Sequence, residues 1–193
     1  MKSVVIGAAL ATLALTASAQ GLDTRPVRPL VGIGLTFGGD KLASVDFTDG
    51  SSESIRSGGL FTLYAGAEFR VSDVMAIQAT LGYHADSTSA ASNGSLRFSR
   101  YPLDLLALYR VNDRVRLGGG VEFVNSPKVA GSGDLGNINV GFKNSTGLVL
   151  EGEYLFTPKF GMKARVAAHE FESKATGAKV DGDYFGLMLN YYF

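Results

Sequence analysis

Two histidines are the residues of this chain most able to do acid–base chemistry, and each has a hydroxyl and a carboxylate close by in sequence. His84 precedes Asp86 and Ser87, and His169 precedes Glu170 and Ser173. An imidazole that draws a proton from a serine hydroxyl, itself oriented by a carboxylate, would make an acyl-transfer centre. Serine and acidic residues are common in any polar loop, however, so closeness in sequence is weak support and the expected reading is non-enzymatic. Two histidines with no distinct third ligand also make a thin metal site, and neither metal nor cofactor is expected. Cysteine is absent, which excludes thiol nucleophiles, thiolate metal sites and disulfide staples together.

The second group with chemical potential is a set of ten charged residues. Glu68, Asp104, Glu122, Glu151 and Glu153 stand against Arg70, Arg110, Arg116, Lys163 and Arg165, five of each sign. A selectivity ring would show one dominant sign. Equal numbers point instead to a hydrogen-bonded ion-pair network in the interior of something, because buried charges must be paired.

The elements that would place these residues are strands. Glycine makes up 25 of 193 residues and all aromatics are Tyr or Phe, a composition for many turns and poor helices. From Val31 onward hydrophobicity alternates with period two in eight segments: Val31 to Phe37, Leu60 to Arg70, Met75 to Tyr83, Leu96 to Tyr109, Val115 to Phe123, Gly147 to Phe156, Phe160 to Ala168 and Tyr184 to Phe193. Three connections are tight (71–74, 111–114, 157–159) and four are long and polar, the alternation that an up-and-down antiparallel barrel of eight strands requires. The tight turns sit in a gapless 22-residue repeat, Leu63 to His84, Leu103 to Val124 and Leu148 to His169, whose unit is one hairpin.

Register decides which solvent the barrel faces. With one parity per strand, 39 positions fall on a face without a charge or an amide, while eight of the 31 interleaved positions are charged. Apolar outside and charged inside is the pattern of a transmembrane barrel. Aromatics collect near the tight turns (Phe69, Tyr109, Tyr154, Phe156, Phe160, Tyr191, Phe193) and again at the opposite strand ends (Phe37, Tyr83, Phe123), where interfacial girdles belong. Ahead of the strands, Lys2, the apolar run Val4 to Leu15 and Thr16-Ala17-Ser18-Ala19 read as a signal peptide over 1–19. Residues 20–30 are expected to be a periplasmic N-terminal segment and 31–193 the barrel. Eighteen basic residues balance eighteen acidic ones, so no surface excess calls for nucleic acid.

Two finer expectations follow from parity. Ala43, Val45 and Phe47 continue the first strand's pattern, and Ile138, Val140 and Phe142 continue that of Gly147 to Phe156, so those two strands should extend past the membrane. Leu96 and Phe98 are even where Tyr101 to Tyr109 are odd, which predicts a bulge or break at Ser99 to Pro102, next to the proline.

From about Val31 to Phe193 the chain resembles the small eight-stranded outer-membrane barrels of Gram-negative bacteria, the group of OmpX, the OmpA transmembrane domain, OmpW and the opacity-type adhesins. The resemblance rests on the signal peptide, strand pattern, turn alternation and Phe193. It implies an integral outer-membrane protein of structural or surface-interaction type, with tight turns periplasmic and long loops extracellular. It also implies a filled lumen, no cofactor, a monomer, contact with outer-membrane lipid and lipopolysaccharide, and Phe193 as the signal read by the assembly machinery. An OmpW-like passage for small hydrophobic molecules is the alternative. Lipid A acyl-modifying barrels place His and Ser at the level of His84 and His169, but the His-x-Ser-Asn string of the deacylases is missing here.

Overall fold

The computed structural model describes residues 25–46, 52–89 and 94–193, so the expected signal peptide and Phe47 lie outside the described residues. The strands in chain order are β1 (Val27–Gly38), β2 (Lys41–Asp46), β3 (Ser52–Arg56), β4 (Leu60–Arg70), β5 (Met75–Ser89), β6 (Ser95–Arg110) and β7 (Val115–Ser132). They continue with β8 (Asn139–Gly141), β9 (Ser145–Thr157), β10 (Phe160–Ala168), β11 (Glu170–Glu172), β12 (Lys179–Asp181) and β13 (Tyr184–Tyr192). Eight of them (β1, β4, β5, β6, β7, β9, β10 and β13) pair in sequence order, and β1 with β13 closes the ring. The first strand begins at Val27, so residues 27–30 of the expected N-terminal segment are already barrel wall.

Closure is staggered. Following directly opposed residues from Arg28 through Glu68, Gln78, Leu106, Gly120, Val149, Ala167 and Tyr184 returns to β1 at Gly38, ten residues further along. Strands must therefore tilt against the barrel axis, and residues distant along their strands come to one height. At the seam the Phe193 N–H donates to the Pro29 carbonyl at 3.0 Å, and Arg25 donates to the Phe193 carbonyl.

The tight turns show what the 22-residue repeat encodes. Ser72, Asn112 and Thr157 hold the same repeat position, and each side-chain oxygen accepts two backbone N–H groups two and three residues on. Those are Val74 and Met75, Arg114 and Val115, and Lys159 and Phe160. A short polar side chain that satisfies the turn's own donors is the shared local physics.

All eight strands present the expected face outward. Leu81 is 61% exposed and Leu148 68%, while their chain neighbours Thr80 and Val149 are buried. Aromatic contacts mark both ends: Tyr154, Phe156 and Phe160 at the turn end, with centroids 5.3 and 5.7 Å apart, and Tyr83 against Tyr101 at 5.5 Å at the loop end. No helix among the described residues is long and apolar enough to cross a membrane. Lysine at Leu105, opposite Ala79 and Val121 in the middle of the apolar outer band, should destabilise the folded state by about 2 to 4 kcal/mol. Urea unfolding in lipid vesicles, read by the mobility of unheated samples on gels, measures this; a cost near zero would mean that Leu105 does not meet lipid.

The extensions past the membrane are corrected by the structure. The long strands are β5, β6 and β7, while Lys41–Asp46 forms a separate hairpin with Ser52–Arg56, and Asn139–Gly141 pairs with β7. The register shift does fall where proline and parity place it, between Ser99 and Tyr101. The extra residue, however, is on β7: Ser99 faces Lys128 and Tyr101 faces Asn125, with Ser126 at φ 49° and Pro127 between them. Against β5 the β6 register is constant from Leu81–Leu103 to His84–Arg100. Phe98 and Tyr101 thus point to opposite faces of one continuous strand. Leu96 and Phe98 point inward because the outer solvent changes from lipid to water above Tyr101, and the apolar side of the wall changes with it.

Candidate functional site

The lumen is filled by a column of ion pairs in two tiers. In the lower tier Glu68 accepts from Arg28 and from Arg116, each at 2.7 Å. Arg116 also pairs with Glu153, its direct neighbour across β7 and β9, and donates to the Tyr192 hydroxyl at 2.6 Å. Glu153 takes further hydrogen bonds from Tyr192 (2.8 Å) and from the Asn190 amide (2.9 Å), and the Tyr64 hydroxyl donates to Asn190. Tyr64 can cross the lumen here because Gly32 opposite it has no side chain to collide with the ring.

The upper tier turns on Arg165. It grips Glu151, its neighbour on β9, with Nε and Nη2 at 3.1 and 2.9 Å, and reaches across the lumen to Asp104 at 2.8 Å. Lys163 pairs with the other Glu151 oxygen at 2.7 Å and donates to Gln78 at 2.6 Å. Asp104 and Glu122 stand directly opposite each other on β6 and β7, a like-charge pair that is unfavourable alone. Arg165 on Asp104, and the Tyr184 hydroxyl on Glu122 at 2.7 Å, make it tolerable.

Eight of the ten charged residues singled out above are in this column; Arg70 and Arg110 are not. Arg70 pairs with Asp73 in the turn at 2.6 Å, and Arg110 lies at the turn-end mouth. Their places in the buried set are taken by Arg28 and Arg100. Both have the inward, even parity of their strands, so the signal was present. A first strand expected from Val31 leaves Arg28 outside the wall, and a break expected over 99–102 leaves out Arg100, whereas the strands run through both.

Neither histidine pairs with the serine or carboxylate that follows it in sequence. His84 Nδ1 accepts from the Arg100 guanidinium at 2.6 and 2.9 Å, so the ring proton is on Nε2, which lies 2.6 Å from Thr36 Oγ1. Its one basic nitrogen is therefore occupied by a permanent cation, and Asp86 instead accepts the Arg56 backbone N–H at 2.8 Å. His169 stacks between Phe171 and Tyr184, with Nε2 2.9 Å from Glu122, in space left by Gly147. Glu170 pairs with Lys179 at the surface, 2.8 Å away. Both imidazoles are buried in the polar interior, and their polar partners are Arg100 and Thr36 for His84 and Glu122 for His169. Among the described residues no group of three or more His, Asp or Glu has the spacing of a metal site.

Above the column the lumen becomes apolar. Ile55, Leu96, Phe98, Val124, Val129, Phe142 and Phe171 form one buried cluster, with Phe98, Phe142 and Phe171 in mutual ring contact at 6.0 to 6.4 Å. Arg100 lies under this cap, its guanidinium 5.4 Å from the Phe171 centroid and 5.2 Å from that of Tyr184. Outside the cap the loop surface carries ion pairs beside the exposed Ile138 and Val140. Lys143 donates to Glu172 at 2.6 Å, and that hydrogen bond holds the Glu172 carboxyl below its ordinary range.

A fold of this kind has known counterparts. The Ail attachment invasion locus protein of Yersinia pestis, solved with the heparin analogue sucrose octasulfate, superposes with a TM-score of 0.58 at 14% identity, covering 86% of this chain and 97% of that one. A second structure of Ail gives 0.53 at 14% identity with the same coverage, and neisserial surface protein A gives 0.49 at 10% identity, covering 88% and 98%. No curated protein matches the sequence. The family description "outer membrane protein beta-barrel domain" matches residues 7–193. With eight closed strands, an apolar outer band and a charged, filled lumen, the chain belongs to the outer membrane protein beta-barrel domain family, and its place is the bacterial outer membrane.

Proposed function

We propose that the protein is a monomeric, non-enzymatic envelope barrel that works through its extracellular surface. The tight turns face the periplasm and the long connections face outward, as is usual for such barrels. The observation that carries this reading is the filling of the lumen: an ion-pair column with an apolar cap leaves the loop-end surface as the part that can meet other molecules. That surface is braced by the upper parts of β5, β6 and β7. On it Lys128 sits opposite Gly141, whose carbonyl accepts the Lys174 backbone N–H at 2.9 Å, with Lys143 two residues along the same chain segment. Ail, of the same fold, was solved with a sulfated sugar. A sulfated or phosphorylated glycan, such as lipopolysaccharide sugars present, suits these lysines. Retention on immobilised heparin should fall for Lys128→Gln combined with Lys174→Gln, and the salt needed for elution should fall with it. Unchanged retention would remove this surface from the proposal.

Passage of small hydrophobic molecules is the alternative. Vesicles containing the protein should take up a small apolar solute no faster than empty ones; faster uptake would favour that alternative. Residues 1–19 are proposed to be a cleaved export signal, and Phe193, outward-facing and packed 5.1 Å from Tyr191, to be read by the assembly machinery. Phe193→Ala should lower the yield of folded protein in outer membranes far more than Phe156→Ala, an aromatic of the same girdle. Equal losses would mean that Phe193 acts only as an anchor.

A further inference from the structure

At the loop end the wall has a notch. β4 begins at Leu60, opposite Thr36 of β1, and its ladder with β5 begins at Phe61 and Ala85, whereas β5 runs on to Ser89 with β6 alone paired beside it. β3, which pairs with β2, stands across the gap. The notch holds a cavity of about 440 Å³, well within the range of about 300 to 1,000 Å³ that small ligands occupy. Asp86 lines it and is only 9% exposed. Among the described residues this is the one buried carboxylate outside the column, and no cationic side chain pairs with it. Its Oδ2 accepts the Arg56 backbone N–H at 2.8 Å and lies against Gly59, where a side chain would begin 2.9 Å from that oxygen. A carboxylate withdrawn from water and left without a cation needs donors from elsewhere. The Arg56 guanidinium lines the same cavity, donating from Nη1 to the Gly39 carbonyl at 3.0 Å, and among the described residues no carboxylate pairs with it. Ser54 and Ser87 add hydroxyls, and the exposed Phe37 and Leu60 form the rim on the lipid side.

We infer that this cavity binds a neutral sugar ring. A cation drawn to Asp86 would meet Arg56, and an anion drawn to Arg56 would meet Asp86. A zwitterion would match both charges but would leave the serine hydroxyls and the aromatic rim unused. Sugar hydroxyls both donate and accept, so one ring can give protons to the carboxylate and accept them from the guanidinium and the serines, replacing water hydrogen bond for hydrogen bond. The slightly positive C–H face of the ring fits the negative face of an aromatic side chain, which Phe37 offers at the rim. Because Phe37 and Leu60 belong to the outward face, the ring can be the headgroup of a glycolipid in the outer leaflet, its chains running down past Leu60. A free saccharide would satisfy the same groups. The glycolipid arm rests on the orientation proposed above, and binding of a free sugar does not.

The test follows the backbone amides of Gly38, Gly59 and Ser87 by NMR, with the protein in micelles of a polyoxyethylene detergent, which carries neither sugar nor charge. Methyl glucoside, methyl galactoside and octyl glucoside are titrated into the wild type, Asp86→Asn, Phe37→Ala and Lys159→Gln, the last an exposed position at the turn end. At least one sugar should move these amides along a saturable curve. Asp86→Asn should weaken its binding about tenfold, as loss of a charged hydrogen-bonding partner does. Phe37→Ala should weaken it less, and Lys159→Gln should leave it unchanged. Equal affinity for the methyl and octyl glucosides identifies a free-saccharide site, and tighter binding of octyl glucoside a glycolipid site; either supports the inference. Calcium chloride, sodium sulfate and free alanine should leave the same amides in place. Heparin retention of Asp86→Asn should match the wild type, which separates this cavity from the lysine surface. Should Asp86→Asn fail to assemble, Ser87→Ala, at an exposed position, is read in its place. No saturable shift with any of the sugars, equal affinity in the wild type and the cavity variants, or saturation by calcium, sulfate or alanine instead, would overturn the inference.

Discussion

Arg165→Ala should destabilise the barrel by about 3 to 5 kcal/mol, the cost of removing one partner from a buried charge pair. Arg165 touches three carboxylates, and its loss leaves Asp104 and Glu122 facing each other on adjacent strands. Lys163 still holds Glu151, so the damage concentrates on the Asp104–Glu122 pair. Two companion variants separate charge from packing. Asp104→Asn removes one of the two opposed charges and should recover part of the loss in the Arg165→Ala background, a coupling of about 1 kcal/mol or more. Arg165→Lys keeps the charge without the fork and should fall between wild type and alanine. Urea unfolding in neutral vesicles, followed by unheated gel mobility, gives all five values: wild type, Arg165→Ala, Asp104→Asn, their combination and Arg165→Lys. A cost for Arg165→Ala below about 1 kcal/mol would mean that the column is hydrated and that water screens its charges.

Phe98→Ala should have an effect of similar size in a different place. Phe98 is 1% exposed and is the ring through which Phe142 of the β7–β9 connection and Phe171 of the β10–β13 connection meet β6. Truncating a buried Phe costs about 3 to 5 kcal/mol through lost burial and the cavity left behind. Here the cost should fall on the loop-end unit, because the membrane band is held by other contacts. Amide exchange in the upper parts of β5, β6 and β7 should speed up by at least about a hundredfold, as about 3 kcal/mol requires. Exchange in the band around Leu105 should stay as it is. Proteolysis of Asn139–Gly141 and Glu170–Glu172 gives an independent reading, with cleavage faster in the variant. Equal loss of protection in both regions would show cap and band to be one cooperative unit.

Binding and stability connect at this cap. The same cluster that blocks the lumen fixes the surface that carries Lys128, Lys143 and Lys174, so Phe98→Ala should also weaken heparin retention. A barrel that only anchored mobile loops would keep its retention when the cap is loosened.

What could be read directly from the sequence is what depends on near neighbours. Alternation of side chains is a property of any extended strand, so eight faces, eight interior charges and the membrane class follow from residues two apart. Turn chemistry is equally local, and Ser72, Asn112 and Thr157 announce it by their side-chain oxygens. Partnership across the lumen is different in kind. Arg116 finds Glu153 on the next strand of the wall, but it also finds Glu68 three strands away around the ring, because a ten-residue stagger tilts the strands and brings both to one height. The same stagger decides that Arg28 and Arg100 enter the buried set while Arg70 and Arg110 are left at the mouth, and with Asp86 also buried the set holds six carboxylates against five cations where the sequence suggests five of each. His84 and His169 illustrate the limit most plainly: their sequence neighbours suggest acid–base groups, whereas closure of the barrel surrounds them with Arg100, Thr36, Glu122 and aromatic rings. The inward turn of Leu96 and Phe98 has a related cause. Parity along β6 never changes, but the medium outside it does. Where a strand leaves lipid for water is set by the height of the whole barrel, through rings such as Tyr83 and Tyr101, and no single strand carries that height in its own sequence.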